Sequence, residues 1–230
     1  MIASELAVRL IELKSRFLEG LSTSEISAIA TAGTRKRFSA GTVLANQGAP
    51  PDHLFLLLSG RARYFTTTPS GNKVILLWIA PGEISGAAAL VSQFRNYLFS
   101  TEAVEAGSVL VWDRPTARQL VRRFPRLIDN AFLMAFDFVE CYRAAHISLL
   151  CHSARERLAH VLLNLASGMG REVPGGFELN VRNEELASEA NVTLFTASRL
   201  LNEWQRQGIL EKQRGRVLLR SPERLPLGEV

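Results

Sequence analysis

Apolar residues recur at spacings of three and four from Leu6 through Leu10 and Leu13 to Phe17, predicting an amphipathic helix over residues 3–17. A Ser-x-x-Glu capping box, Ser22 to Glu25, predicts a second short helix reaching Ala32. From Thr34 to about Asp113 the pattern changes to short β-rich runs: RKRFSAG, TVLANQG, HLFLLLSG, RARYFTTT, KVILLWIAPG and STEAVEAGSVLVWD. Turn signals break them at Ala40-Gly41, Gly48 to Asp52, Ser59-Gly60, Pro69 to Asn72 and Pro81-Gly82. Many short strands at near-regular spacing predict a closed antiparallel barrel or jelly roll. Closure hides the strand edges and leaves an interior for a ligand.

Asp113 and Pro115 open a short helix, and Pro125 stands where a first-turn proline belongs, before a helix running to about Cys151. That long helix carries two apolar tracks. Leu127, Ala131, Met134, Phe138, Cys141 and Ala145 form one; Ile128, Phe132, Ala135, Val139, Tyr142 and Leu149 form the other. One track packs on the barrel and the second needs another partner, for which parallel self-association is the economical answer. The first track is assigned to the dimer interface; a helix buried inside one large domain is the alternative. A second capping box, Ser153 to Glu156, starts a further helix reaching about Gly168. A Gly/Pro-rich loop and a short strand, FELNV, come next.

The most informative stretch is Arg182 to Ile209. Asn183 is placed as N-cap of a short helix ending near Glu189, with small Ala187 where two helices cross. Asn191 sits in the turn, where a left-handed backbone is required. Thr193 caps a second helix with inner face Ala197, Leu200, Leu201 and Trp204 and outer face Phe195, Ser198, Arg199 and Asn202. Gly208 ends it, and ILEKQRGRVLLR reads as a hairpin wing turning at Arg214-Gly215. Helix, tight turn, helix and wing make a winged helix-turn-helix. Arg199 suits bidentate bonds to guanine, and Phe195 suits a thymine methyl. Thr193, Thr196 and Ser198 reach phosphates or base edges, while Arg214 and Arg216 at the wing tip hold phosphates.

The architecture is therefore α+β. Residues 1–125 form a barrel domain, 126–152 a dimerisation helix and 153–230 a winged helix-turn-helix. Charge agrees without deciding: 27 Lys and Arg against 22 Asp and Glu give +5 over 230 residues. Six bases between Arg199 and Arg220 face only Glu203 and Glu211. No apolar stretch approaches the roughly 20 residues of a membrane helix, and the N-terminus lacks the apolar core of a signal peptide. A cytoplasmic location is expected. Cys141 and Cys151 make neither a disulfide framework nor a four-thiolate site.

This order of parts resembles the CRP/FNR family of bacterial transcription regulators, over about Phe17 to Arg220. HLFLLLSGRARYF, the turn at Ser70-Gly71 and WIAPGEISGAAAL carry the likeness in the barrel, and VTLFTASRLL carries it in the helix-turn-helix. The resemblance implies a cyclic-nucleotide-binding fold for the barrel, a homodimer, double-stranded DNA with a palindromic operator, and RNA polymerase as a partner. In FNR-type members a Glu, a Ser and an Arg read bases. Ser198 and Arg199 match, but Phe195 stands at the Glu position, so the operator should differ there. Cyclic-AMP-binding members carry Gly-Glu and Arg-Ser pairs that hold the ribose and the cyclic phosphate. Here Gly86-Ala87 and Tyr97-Leu98 align with them, which disfavours cyclic AMP, since a buried phosphate would lack a cation. A shifted register would bring Glu83 and Arg95 into play. An apolar or neutral ligand near Trp78 and Tyr97, or none, is expected.

The cysteine clusters of iron–sulfur sensors are absent, and the cofactor is left unknown. His146, His152, Cys141 and Cys151 fit either plain surface polarity or a haem or redox input. With His53 alone in the barrel, and no Ser/His/Asp set, P-loop or Rossmann glycines, no enzyme is expected. The other reading is a nucleotide or metabolite sensor module that docks proteins without touching DNA.

Overall fold

The computed structural model describes residues 2–69, 71, 73–213 and 215–227. The chain forms two compact units, Met1–Val139 and Glu140–Val230.

In the first unit, helix α1 (Ile2–Glu12) stops five residues before Phe17, because Lys14 turns the backbone to φ 47°. Phe17 instead belongs to a separate single turn, Arg16–Leu18, and is buried there. Helix α2 (Thr23–Thr31) starts at the expected Ser22–Glu25 box. Six strands follow: β1 (Thr34–Phe38), β2 (Val43–Ala45), β3 (His53–Thr67), β4 (Lys73–Ile79), β5 (Ile84–Ser85) and β6 (Ser100–Asp113). They make one antiparallel sheet in the order β1-β6-β3-β4, with β2 also on β6 and β5 also on β3. Strands β3 and β6 pair along nearly their whole lengths, from His53↔Asp113 to Phe65↔Ser100. Ser59-Gly60 does not break this ladder; it shifts the register and bends it. The bend needs glycine: Gly60 has φ 83°, and a Cβ on Gly107 would stand 2.0 Å from the Ser59 carbonyl oxygen.

Two apolar clusters flank the sheet. Phe38, Phe55, Leu57, Ala62, Ile79, Tyr97, Val109 and Val111 fill the interior of the roll. Leu54, Leu56, Leu58, Leu110 and Trp112, on the other face, pack against α1, α2 and the later helices. Each such fully buried large side chain contributes about 1.5–3 kcal/mol. The Trp112 indole N–H donates to the Ile29 carbonyl at 3.0 Å, so its polar atom is satisfied.

Asp113 caps α3 (Arg114–Arg123) by accepting the Thr116 N–H. Helix α4 (Arg126–Cys151) then spans 26 residues. The track assigned to the dimer interface packs, over its first part, on the first unit's own core. Leu127 and Ala131 are buried in the first unit's own core, Met134 packs beside them, and Phe138 meets the Phe99 ring at 5.3 Å. That track anchors the helix to the barrel; only Cys141 and Ala145 at its far end are exposed. On the other track Ile128 also packs on that core, but beyond it Phe132 is 63% and Val139 59% exposed, with Ala135, Tyr142 and Leu149 also facing outward.

In the second unit Ser153 and Glu156 form the expected capping box of α5 (Ala154–Met169). The stretch read as a loop contains a strand, β7 (Arg171–Val173), paired with β8 (Gly176–Leu179). Helices α6 (Asn183–Glu189) and α7 (Leu194–Arg206) follow, then β9 (Leu210–Gln213) and β10 (Arg216–Leu219). The four strands form a sheet in the order β7-β8-β10-β9. On α5, the His160 ring stacks on His152 with centroids 4.8 Å apart, and its Nε2 is buried with no hydrogen bond. Burial, and then the neighbouring His152, hold the His160 pKa below its ordinary value.

Candidate nucleic-acid interface

The helix-turn-helix is locked by its turn. Asn191 takes φ 49°, and the Val192 N–H donates to the Ala187 carbonyl at 2.9 Å. Arg157 of α5 clamps this turn: its Nε donates to the Ala190 carbonyl at 2.9 Å and its Nη2 to that of Asn191 at 3.1 Å. A third bond, from Nη1, reaches the His152 carbonyl at 2.8 Å. The sequence reading missed Arg157, which lies on a different helix with no motif spacing to the turn. The N-cap of α6 falls on Arg182, one residue before the expected Asn183, with the Arg182 N–H donating to Glu185.

Thr193 caps α7 as expected, accepting the Thr196 N–H at 3.1 Å; their hydroxyls also meet, at 2.9 Å. Ala197, Leu200, Leu201 and Trp204 are buried against the unit's core. The opposite face presents Phe195, 78% exposed, with Ser198, Arg199 and Asn202. Among the described residues Arg199 has no hydrogen-bond partner, and only the pull it exerts on the Glu203 carboxylate marks a neighbour. Glu203 itself is held by an ion pair from Arg155 of α5. Ser198 and Asn202 are tied from outside the helix: Asn183 Nδ2 donates to Ser198 Oγ at 3.3 Å, and Lys212 Nζ donates to Asn202 Oδ1 at 2.7 Å. Asn183 and Lys212 line one open groove of about 290 Å³ between the start of α6 and the wing.

In the wing, Gly215 turns at φ 73° and Arg216 pairs with Glu178 of β8 at 3.4 Å. Arg216 thus reaches the surface partly neutralised; Arg214 lies outside the described residues. The arrangement offers a cation, an aromatic ring and hydrogen-bond donors along one exposed helix face, which matches a DNA major groove.

The residues expected around an effector do not form one pocket. Trp78 lies on the sheet face opposite its cavity-lining neighbour Ile79, under the Arg61 and Arg63 guanidinium groups at 4.7 and 5.8 Å from its ring centre. Tyr97 is buried, and its hydroxyl donates to the His53 carbonyl at 2.7 Å while accepting the His53 N–H at 2.8 Å. A Cβ on Gly86, where φ is 80°, would stand 2.5 Å from the same carbonyl oxygen and 3.2 Å from the Tyr97 ring. Ala87 leans on the opposite apolar cluster, and Leu98 points to solvent. Glu83 reaches the interior cavity, but its carboxylate accepts the Ala80 N–H at 2.7 Å. That cavity holds about 10 Å³, room for one water. Pockets that hold small molecules run to about 300–1,000 Å³. Beside it Tyr64 donates to the Ile84 carbonyl at 3.2 Å, and its burial pushes its pKa up to about 12.

Residues 35–124 match the cyclic nucleotide-binding domain family, and residues 156–226 match the Crp-like helix-turn-helix domain family. The cyclic AMP receptor protein of Thermus thermophilus is 29% identical over 208 residues, covering 90% of this chain and 93% of that protein. The anaerobic regulatory protein of Bacillus subtilis is 22% identical over 210 residues, covering 86% and 85%. Among solved structures, the c-di-GMP responsive global regulator CLP of Xanthomonas campestris shares the fold, with a TM-score of 0.75 at 18% identity, covering 86% of this chain and 99% of that one. With a barrel, a long helix and a capped helix-turn-helix in the matching order, the chain belongs to the CRP/FNR family of DNA-binding transcription regulators.

Proposed function

We propose that the chain regulates transcription as a cytoplasmic homodimer that places one α7 in the major groove of each half of a palindromic operator. The observation that carries this reading is the outer face of α7, where Arg199 has no partner among the described residues and Phe195 is uncovered. Arg199 reads a base, Phe195 packs on a thymine methyl, and Thr193, Thr196 and Ser198 serve phosphates or base edges. Asn202 faces the same groove, and Arg214 and Arg216 hold the flanking backbone. The exposed residues Phe132, Ala135, Val139 and Tyr142 repeat at spacings of three and four, and Leu149 follows seven residues on, which suits a parallel helix pair. Residues 1–125 act as the sensor part, 126–152 as the dimer helix and 153–230 as the DNA-binding part. RNA polymerase is the partner through which a bound dimer acts. No described helix is long and apolar enough to cross a membrane.

The barrel takes no cyclic AMP. The interior cavity that Glu83 reaches holds about 10 Å³, and neither Ala87 nor Leu98 offers what a ribose or a cyclic phosphate needs. No catalytic role is assigned to any residue. The test is operator selection from a random duplex pool, with thermal melting in cyclic AMP alongside. Selected sites should be two-fold symmetric, with half-sites about 10 base pairs apart or a small multiple. Cyclic AMP should leave the melting temperature unchanged, whereas ligand at 100 times its dissociation constant would stabilise by about 2.7 kcal/mol. Asymmetric sites would sink the dimeric reading, and a clear melting shift would sink the effector reading.

A further inference from the structure

We propose that α7 meets DNA with its hydrogen-bonding polarity already set by two residues outside it. Asn183 of α6 and Lys212 of β9 hold Ser198 and Asn202 as donors, so the helix selects base edges made of acceptors. The inference rests on the reading that α7 enters the major groove.

A serine hydroxyl can donate once and accept twice. Ser198 Oγ already accepts from Asn183 Nδ2, which occupies one of its two acceptor sites and biases the hydroxyl toward donating to a partner. The Asn202 amide is fixed more firmly. An ammonium group only donates, so the 2.7 Å contact from Lys212 Nζ must end on Oδ1, and the Nδ2 protons are left facing out. Arg199 between them is donor-only, and Phe195 carries no polar atom on its side chain. Glu203, the only carboxylate of α7, is withheld by Arg155.

From Phe195 to Asn202, then, the outer side chains present an excess of donors: Arg199 and Phe195 offer no acceptor, and one of the two acceptor sites on Ser198 Oγ and on Asn202 Oδ1 is already taken. Guanine shows acceptors at N7 and O6, and thymine shows one at O4 beside its methyl. Cytosine shows only its N4 donor, and adenine sets its N6 donor beside its N7 acceptor, so donors aimed at N4 or N6 would meet donors, at the cost of an unpaired group. The strand beneath α7 should therefore read guanine and thymine. The sequence hides this, because neither Asn183 nor Lys212 lies on the recognition helix.

The experiment is operator selection with the full chain and variants that reverse each tether. Asn183→Asp supplies a carboxylate that accepts the Ser198 O–H, turning the serine's lone pairs outward. Lys212→Glu accepts from Asn202 Nδ2 and turns the amide oxygen outward. Wild type should enrich guanine or thymine at both pairs, and each variant should move one symmetric pair to cytosine or adenine. Asn183→Ala and Lys212→Met should relax the same pairs by about threefold to tenfold without inverting them. They carry the test if the acidic variants fail to fold or bind. Variants that bind but keep the wild-type bases overturn the proposal. So does Lys212→Met if it flattens the salt dependence with base preference intact, since the lysine is then a phosphate contact. A wild type that enriches no sequence overturns the DNA reading itself, a separate outcome.

Discussion

The barrel interior and the outer face of α7 treat their polar groups in opposite ways. Inside the roll, Tyr64 donates to a carbonyl, the Ser85 and Thr101 hydroxyls pair at 2.7 Å, and the Tyr97 hydroxyl is used twice by His53. On α7, Arg199 has no partner among the described residues, and the Phe195 ring lies open. A buried polar group left unpaired costs about 1–3 kcal/mol, so a closed interior must satisfy itself and then has nothing to offer a ligand. At the surface, water satisfies such groups cheaply and gives way to a partner. Capacity to bind sits where pairing is unfinished.

The largest expected effect separates the two tracks of α4. Val139→Glu charges the exposed track and should give monomers by light scattering with the wild-type circular dichroism spectrum, losing only the stability that dimer linkage supplies. Operator affinity should fall by about 10²–10⁴, the gain that linking two half-site contacts confers. Met134→Glu puts its charge against the barrel core and should lower the melting temperature instead. If Met134→Glu dissociates a dimer without destabilising it, the assignment of the tracks is wrong.

Next comes the open face itself. Arg199→Ala should cost about 1–3 kcal/mol per half-site and relax preference at one symmetric base pair. An unchanged selected sequence would show that this arginine reads nothing.

The closed side is probed by Gly86→Ala. With φ at 80° and the His53 carbonyl oxygen 2.5 Å from the new Cβ, unfolding stability should drop by about 1–3 kcal/mol in denaturant titration. A neutral or stabilising result would mean the Tyr97–His53 closure is looser than described.

The smallest effect is a pH dependence in the second unit. His160 has a folded pKa below its unfolded value of about 6.5, so the neutral ring is the form the fold prefers. Its contribution is fully present above about pH 6.5 and is lost as pH falls from there through the folded pKa. The loss should stay under about 1 kcal/mol after solvent screening. Melting curves from pH 8 to 5 should show this slope in wild type and a weaker one in His160→Gln; equal slopes would rule His160 out.

Much of this was legible in the chain because short-range chemistry wrote it. Ser22, Ser153 and Thr193 cap where their spacing to the next polar partner requires, and Asn191 marks the left-handed turn. The roles of the two α4 tracks were not legible. Both are apolar, and periodicity reveals that a helix has two greasy faces without saying which one meets the barrel. Trp78 misled for a related reason: a large aromatic beside a predicted interior reads as lining, yet arginines two positions apart on β3 cover it from outside. Ser59-Gly60 looked like a turn because glycine permits both a turn and a bulge. The clamping role of Arg157 and the tethering roles of Asn183 and Lys212 were not legible because the turn and side chains they hold lie 10 to 34 positions away.

Helix α4 has one further consequence. The division between the compact units falls inside it, between Val139 and Glu140, so the units hold a single helix in common. Helices shorter than about 12–15 residues are marginal in water without packing partners. Severed at that point, each half would be about that short, and the half left on the second unit would keep Tyr142, Leu149 and Leu150 exposed. Cleavage at the seam would leave the first half held by its packing on the barrel and take from the second the backbone order that continuity of the helix lends it.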